Sequence, residues 1–433
     1  MRRYNKGNCR RRRRRAAEAP QEEAGELTEE EQAELLRGAH VSISDGASLV
    51  SIGNHAVLRA WRKRCPELHA LWDGDAPVTA WAGVTFGEAG GADAERERVV
   101  KIALEEVGLT GEVPAALGGL SELKELILSG NQIERMPAKL GGLTGLTGLW
   151  LDGNQLSSVP AELGGLSMLR GLYLGDNLLT SVPAELGCLA ELEVLTLNDN
   201  QLASVPAAFG GLTALTELHL DGNQLKSVPA SLGGLTALTV LYLGGNQLTR
   251  VPAELGGLTA LTVLYLNDNQ LTSVPAELGG LTALTCLELG ENQLTRVPSE
   301  IGNLTALQGL YLYNNQLVSV PVTLGGLTAL TVLHLDENRL TSVPAELGAL
   351  TSLTALHLNK NRLTSVPVQL GRLFALKEFR LDENQLTRLP LELGQLSTLT
   401  VLHLDGNQLT SVPAEWEQGG ALEQSSCRIQ WFI

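Results

Sequence analysis

The stretch LTVLYLNDNQLTSVPAELGGLTA, residues 261–283, decides the fold because the same 23-residue pattern fills most of the chain. Each unit opens on a Leu, carries Leu at its fourth, sixth and eleventh positions in most copies, and has Asn at the ninth and Pro at the fifteenth. Thirteen opening leucines stand 23 residues apart without a slip: Leu123, Leu146, Leu169, Leu192, Leu215, Leu238, Leu261, Leu284, Leu307, Leu330, Leu353, Leu376 and Leu399. Repetition at a fixed period of roughly 20–50 residues indicates a solenoid of stacked units.

The spacing within the unit predicts its local structure. Side chains alternate along a strand, so the apolar fourth and sixth positions face a core while the third, fifth and seventh face solvent. The Asn at the ninth position follows the strand, where its amide can bond backbone groups of neighbouring turns. Pro at the fifteenth position, followed by Leu and Gly, predicts a one-turn helix. We therefore expect strands on one side of the solenoid and short helical turns on the other.

The spacing of leucines and asparagines resembles that of leucine-rich repeats. This resemblance implies an α/β solenoid shaped as a horseshoe, with a parallel β-sheet on the concave face and short helical turns on the convex face. The run Val274–Gly279, a Val-Pro followed by a Leu-Gly turn, is similar to that of the intracellular Ras-group repeat proteins and the Scribble- and Erbin-like scaffolds. The likeness to these families implies a scaffold for protein–protein interaction in intracellular signalling.

Four segments are expected along the chain. Residues 1–27 should be a disordered tail, basic and then acidic, and residues 28–98 a helical N-terminal cap. The capping box Thr28–Glu31 predicts a helix to about Arg37, and a second helix is expected from His55 to Arg64. Residues 99–413 hold about 14 units of 23–24 residues, starting with an atypical one at Val99. Residues 414–433 form a C-terminal cap or tail.

The expected cap and the first repeat also have a resemblance of their own. Trp81–Thr85 and Leu109–Pro114 are similar to the cap and first repeat of plant-type leucine-rich-repeat receptors. Phe86 stands where that family has a cap cysteine, so the paired cysteines are missing. The alternative function that this resemblance implies is that of a receptor-type protein that senses a ligand or a pathogen.

The C-terminal end has two interpretations. Trp416 replaces the outer Leu of the unit, and the pattern ends after Leu422. The last residues, Trp431–Ile433, either fold back over the final repeat or resemble the ligands of PDZ domains, which add such a tail to a sheet edge.

Charge limits the kind of partner. The chain has 48 acidic and 32 basic residues, and nine of the basic ones lie among the first fifteen residues, so the rest of the chain is strongly acidic. We therefore expect no nucleic acid on the repeat body. The run Arg10–Arg15 is a solvated tail, a nuclear-import signal or a phosphate contact.

Localisation follows from two further features of the sequence. The five cysteines show no paired spacing, which favours a reducing compartment. No leader or membrane segment can be read. The expected location is cytoplasmic, or nuclear if Arg10–Arg15 acts as an import signal.

The fifth position of the unit differs most between copies. It is aromatic or His in nine of thirteen units, the third position is often Val, and the seventh is often Asp. Interfaces are enriched in such rigid aromatic contact area. The alternative is that Tyr and His merely suit an exposed strand. We predict that a partner protein with a basic and apolar surface binds these concave residues: Trp150, Tyr173, His219, Tyr242, Tyr265, Glu288, Tyr311, Tyr313, His334, His357, Arg380, His403, Asp336, Asp382 and Asp405.

Enzyme motifs are missing from the sequence. It has no G-x-x-x-x-G-K-[ST], H-E-x-x-H or G-x-S-x-G. His334 and His357 fall on adjacent strands with Asp336 beside them and could share a Zn²⁺, but exposed His is ordinary in a sheet. The sequence therefore predicts no enzyme, no cofactor and no metal site, and it leaves the oligomeric state open.

Overall fold

The computed structural model describes residues 49–87, 98–411, 413, 416 and 428–430. The predicted tail 1–27, the predicted helix Thr28–Arg37 and the end Trp431–Ile433 lie outside the described residues, as does the run Arg10–Arg15.

One sheet of sixteen strands runs along the described chain. Fifteen strands are parallel and follow one another in chain order, and β1 at the N-terminal edge is antiparallel to β2. The strands of this sheet, numbered in chain order, are β1 Val84–Phe86, β2 Val99–Ala103, β4 Glu125–Ile127, β6 Gly148–Trp150, β7 Gly171–Tyr173, β8 Val194–Thr196, β9 Glu217–His219, β10 Val240–Tyr242, β11 Val263–Tyr265, β12 Cys286–Glu288, β13 Gly309–Tyr311, β14 Val332–His334, β15 Ala355–His357, β16 Glu378–Arg380, β17 Val401–His403 and β18 Arg428–Gln430. A second sheet pairs β3 Thr110–Glu112 with β5 Gln132–Arg135.

The register of the sheet repeats the sequence period. Val240 pairs with Val263, Leu241 with Leu264 and Tyr242 with Tyr265, so each residue lies beside its equivalent 23 positions later. A column of the sequence alignment is therefore a row of neighbours in space.

Thirteen 3₁₀ turns form the opposite, convex side. Each follows a Pro whose backbone is extended: Ala115–Gly119, Ala138–Gly142, Ala161–Gly165, Ala184–Cys188, Ala207–Gly211, Ala230–Gly234, Ala253–Gly257, Ala276–Gly280, Ser299–Asn303, Val322–Gly326, Ala345–Ala349, Val368–Arg372 and Leu391–Gln395. The turns stack closely, because a Cβ placed on Gly279 would collide with the carbonyl oxygen of Glu300 in the next turn. The solenoid predicted from the sequence, with a parallel sheet on one side and short helical turns on the other, is confirmed.

The core consists of apolar columns between the two sides. Leu264, Leu266, Leu271 and Leu278 are all 0% exposed, and their equivalents in the neighbouring units are buried as well. Burying one such side chain stabilises the fold by about 1.5–3 kcal/mol. Because these columns form one continuous core along the stacked units, the stability of the chain depends on stacking.

A buried ladder of asparagines runs beside the sheet. Asn269 accepts a hydrogen bond from the amide of Leu248 at 2.9 Å and donates to the carbonyl oxygens of Leu243 at 2.9 Å and Leu266 at 3.2 Å. The equivalent contacts recur from Asn131 to Asn407. Each Asn thus satisfies backbone groups of its own unit and of the preceding one, as the sequence predicted.

The N-terminal segment is built around tryptophans. Helix α1 spans Leu49–Arg64, six residues longer at its start than the sequence suggested, and 3₁₀ turns follow at Pro66–His69 and Val78–Ala80. The Trp72 ring stacks on Trp81 with centroids 4.7 Å apart and meets Trp61 edge-on at 5.8 Å. The indole N–H groups of Trp72 and Trp81 donate to the carbonyl oxygens of Ala82 and Asp73, each at 2.8 Å.

This segment is joined to the repeats at several places, one of which is the approach of helix α1 to the 3₁₀ turn Ala115–Gly119. Strand β1 pairs with β2, and the Thr110 hydroxyl donates to Glu67 Oε1 at 3.1 Å. Since Trp72 is fully buried and continuous with the repeat core, we propose that the N-terminal segment covers the first core layer. None of the described helices combines the length and apolar character needed to cross a membrane.

The C-terminal end continues the sheet by one strand. Strand β18 pairs with β17, so Ile429 lies beside Leu402. Trp416 occupies the outer core column at 3% exposure, and its indole N–H donates to the carbonyl oxygen of Leu391 at 3.2 Å.

Truncating one rung of the asparagine ladder should destabilise the chain. We expect Asn269→Ala to lower the free energy of unfolding by about 2–4 kcal/mol, because the buried amide of Leu248 and carbonyl of Leu243 lose their partner. Denaturant unfolding followed by circular dichroism measures this. Gln270→Ala, an exposed neighbour, is the matched control and should change stability little. Equal stability of both variants would contradict the role given to the ladder.

Removal of the N-terminal segment should expose apolar surface. A chain lacking residues 1–98 leaves Val99, Ile102 and Leu104 without the residues that cover them, so we expect self-association in size-exclusion chromatography. A chain lacking only residues 1–27 should melt like the full chain. If the chain lacking residues 1–98 is soluble and monomeric and unfolds cooperatively, residues 49–87 are not a cap.

Candidate interaction face

The third, fifth and seventh positions of each unit form the face of the sheet that points away from the core. We call this surface the strand face. All fifteen residues predicted to bind a partner lie on it and are half-buried, as a group less exposed than the sequence suggested: Trp150, Tyr173, His219, Tyr242, Tyr265, Glu288, Tyr311, Tyr313, His334, His357, Arg380, His403, Asp336, Asp382 and Asp405. The lower exposure arises because each side chain packs on its neighbours in the adjacent strands.

Rings of the fifth position pack against each other in three runs. Trp150 stacks on Tyr173 with centroids 5.2 Å apart. Tyr242 stacks on Tyr265 at 4.7 Å, with His219 edge-on to Tyr242 at 4.6 Å. Tyr311 meets His334 edge-on at 5.0 Å, and His334 stacks on His357 at 3.9 Å. Thr196 and Glu288 separate the runs. The rows are therefore preorganised contact area.

Glycines at the third position of some units determine the orientation of the ring at the fifth position. A Cβ on Gly171 would come within 2.8 Å of the Tyr173 ring, and one on Gly309 within 2.9 Å of the Tyr311 ring. A Cβ on Gly148 would collide with Trp150. These rings thus fold back flat over their own strand, which the Val of the other units would prevent. Sequence reasoning missed this feature, although the tripeptide Gly-Leu-Trp or Gly-Leu-Tyr signals it.

Glu288 sits among tyrosines at the centre of the strand face. Its strand lies between those of Tyr265 and Tyr311, and its Oε1 accepts a hydrogen bond from the Gly290 amide at 3.3 Å. Burial raises the pKa of the Glu288 carboxyl to about 7. Burial also raises the pKa of Tyr313, and the nearby Glu288 adds to that effect. The site therefore favours a cation that would compensate the charge of Glu288.

Acidic side chains of the seventh position are also desolvated. Asp221, Asp336 and Asp382 each have a buried Oδ1 with no hydrogen-bond partner among the described residues. Burial raises the pKa of all three carboxyls. Such oxygens are ready acceptors for donors of a ligand, since leaving them unpaired costs about 1–3 kcal/mol each.

Two histidines and an ion-paired glutamate occupy the C-terminal part of the face. His357 Nε2 lies 3.2 Å from Glu378 Oε1, and the same oxygen accepts from Arg380 Nε at 2.7 Å. Burial lowers the pKa of His334 to about 4 and that of His357 below its usual value, so both rings are neutral at neutral pH. Glu378, at the third position of its unit, was not among the residues predicted to bind a partner. The sequence feature that could have identified it is its position two residues before Arg380 on the same face of the strand, next to the strand of His357.

Known proteins share this architecture. The chain matches a model of the leucine-rich repeat region over residues 154–268 and 276–369, and leucine-rich-repeat models over 351–409 and 260–281. A leucine-rich-repeat protein of Leptospira interrogans is 38% identical, with a TM-score of 0.68, over 74% of this chain and 81% of that one. The chain belongs to the leucine-rich-repeat family. Comparison with curated proteins gives no match.

Two further leucine-rich-repeat structures are similar. An internalin of Listeria monocytogenes is 27% identical with a TM-score of 0.61, over 71% of this chain and 90% of that one. The plant peptide hormone receptor RGFR1, in complex with RGF2, is 30% identical with a TM-score of 0.64, over 75% of this chain and 56% of that one. The chain thus spans about half of the receptor chain.

The raised pKa of Glu288 makes stability depend on pH. The pKa of the Glu288 carboxyl is about 7 in the folded chain, whereas the ordinary pKa of a Glu carboxyl is 4.5. The stability that this raised pKa contributes to the folded chain is therefore fully present below about pH 4.5 and is lost as the pH rises through 7. Gln stays neutral and can still accept from Gly290. We expect Glu288→Gln to be more stable than the unmodified chain at pH 8, on the order of 1–2 kcal/mol after solvent screening, and similar at pH 4.5.

Thermal unfolding of both chains across this pH range is the measurement. The same substitution at Glu254, exposed on the convex side, controls for the loss of one negative charge. A stability difference between Glu288→Gln and the unmodified chain that does not change with pH would show that the carboxyl is not held protonated by its surroundings.

Proposed function

We propose that this leucine-rich-repeat protein is a non-enzymatic scaffold that binds another protein on its strand face in intracellular signalling. The observation that carries the proposal is the set of aromatic rows on that face. Their rings are fixed against each other before any partner arrives, so binding would immobilise few further side chains. Rigid aromatic contact area of this kind is typical of binding hot spots.

The chemistry of the face supports a basic and apolar partner. Glu288 lies desolvated among tyrosines, and Asp221, Asp336 and Asp382 have buried oxygens without a donor. A Lys or Arg side chain of the partner would restore hydrogen bonds to these groups and could also lie over a Tyr ring. The excess of 48 acidic over 32 basic residues would attract such a partner and repel nucleic acid.

A solved structure gives independent support for a polypeptide ligand. It is that of the plant peptide hormone receptor RGFR1 in complex with RGF2, which resembles this chain. It also favours a second candidate function, a receptor-type protein that senses a peptide ligand. In both cases the ligand is a polypeptide and the proposed site is the same.

For the location we propose the cytoplasm. Cys65, Cys188 and Cys286 are free thiols, which a reducing compartment would preserve. Arg10–Arg15 would take the chain to the nucleus if it acts as an import signal.

The tyrosine rows provide the test. We expect the triple variant Tyr242→Ala, Tyr265→Ala, Tyr311→Ala to lose partner binding, because truncating interface aromatics often costs about 2 kcal/mol or more each. Since these rings are half-buried and stacked, the variant should also lose some stability, about 0.5–1.5 kcal/mol per ring pair. Affinity capture from extract of the source cells, with circular dichroism to verify folding, measures both effects.

A matched control lies outside the strand face. Val322, Val368 and Phe374 are exposed apolar residues away from it, and their triple Ala variant should capture the same proteins as the unmodified chain. Display of a random peptide library offers a second measurement that needs no known partner, and peptides rich in Lys, Arg and apolar residues should be selected. Unchanged capture by a folded tyrosine variant would contradict a strand-face site.

A further inference from the structure

Three potential metal ligands converge on the strand face near its C-terminal part. One donor atom each of His334, Asp336 and His357 lies within 4.8 Å of the other two. Two of the residues are neighbours across the strand pair β14 and β15, and the third follows two positions after His334 on the same side of its strand. The repeat period therefore assembles the group from two consecutive units.

The environment of the group keeps these donors available. All three side chains are half-buried, the Oδ1 of Asp336 is buried without a hydrogen-bond partner among the described residues, and the side chain of His357 is only 15% exposed. The imidazole rings are nearly parallel, at 11° with centroids 3.9 Å apart. Because an imidazole nitrogen binds a metal ion within the plane of its ring, one of these two stacked rings has to tilt before both can bind the same ion.

A carboxylate lies beside one of the two imidazole rings. Glu378 Oε1 lies 3.2 Å from His357 Nε2, and Arg380 fixes Glu378 from the other side at 2.7 Å. Metal-binding histidines commonly have a carboxylate on the ring, which sets its orientation. Glu378 therefore lies within reach of the His357 ring as a carboxylate outside the three ligands, although the two groups are not hydrogen-bonded in the present geometry.

From this arrangement we propose that His334, Asp336 and His357 bind a divalent transition metal ion of the zinc type. Two imidazoles and one carboxylate are a donor set that suits Zn²⁺, with a fourth position left to solvent or to a ligand. Metal–ligand bonds of about 2.1 Å require donors closer than about 4.2 Å, so binding needs side-chain rotations that bring the three donor atoms together and tilt the ring of His334 or of His357. The inference does not depend on the proposed function, because metal binding needs no partner protein.

Metal titration of the full chain tests the site. We expect isothermal titration calorimetry to show one Zn²⁺ ion bound at this site, and Co²⁺ to give visible absorption bands of a nitrogen- and oxygen-ligated ion. His334→Ala, His357→Ala and Asp336→Asn should each abolish this binding. Circular dichroism shows whether each variant is folded, and Asp336→Asn keeps the shape of the side chain where an Ala variant fails to fold.

Two matched controls lie elsewhere on the strand face. His219→Ala removes a fifth-position His that has an Asp beside it but no second His on a neighbouring strand, and should leave binding unchanged. Asp405→Asn alters a second group, Asp382, His403 and Asp405, and should also leave the ion in place. The proposal is overturned if the chain binds no Zn²⁺, if folded His334 and His357 variants bind it as well as before, or if only Asp405→Asn abolishes binding.

Discussion

In every unit of this chain the strand ends in a turn whose backbone is buried. The asparagine at the ninth position stabilises this turn because its side chain bonds the buried backbone groups. Its side chain bonds an amide of the preceding unit and carbonyls of both units, as Asn269 does with Leu248, Leu243 and Leu266. A buried amide or carbonyl without a partner would cost about 1–3 kcal/mol, and thirteen such turns follow one another. Burial of the leucine columns favours the stacking of the units. The asparagine hydrogen bonds fix the distance and the register between stacked units.

The fixed register of the parallel strands places the residues of one repeat position side by side, so that a variable position becomes a continuous row on the surface. Because Tyr242 lies beside Tyr265 and His334 beside His357, single substitutions between near-identical units create stacked rings and paired imidazoles. The third position adds a second level of control, since Gly171 lets the Tyr173 ring lie on its strand whereas Val263 occupies that space beside Tyr265. The scaffold can thus vary the strand face without touching the core that holds it.

The sequence predicts the repeated part of the fold closely, because period, strand alternation, Pro and Asn are all local signals that recur thirteen times. The start of α1 was harder to place, since Val50, Ile52, Gly53 and Asn54 have low helix propensity. For the face, the sequence identifies which residues share a row. It does not reveal that these rows are half-buried, or that Glu288 acquires a pKa of about 7, because both depend on side chains 23 residues away packing around them. Glu378 escaped notice because its contact with His357 exists only in the assembled sheet, although Arg380, two positions further along the same strand, was a local signal. Which of the face residues bind a partner stays a prediction.

The central claim is that the strand face, and no other side of the solenoid, meets the partner. Site-specific photo-crosslinking in the source cells tests it directly, with a photoreactive phenylalanine analogue placed at Tyr265 on the strand face and, in a second chain, at Val322 on the convex side. Our account predicts a defined crosslinked protein from position 265 and none from position 322. A crosslink from position 322 with none from position 265 would contradict it.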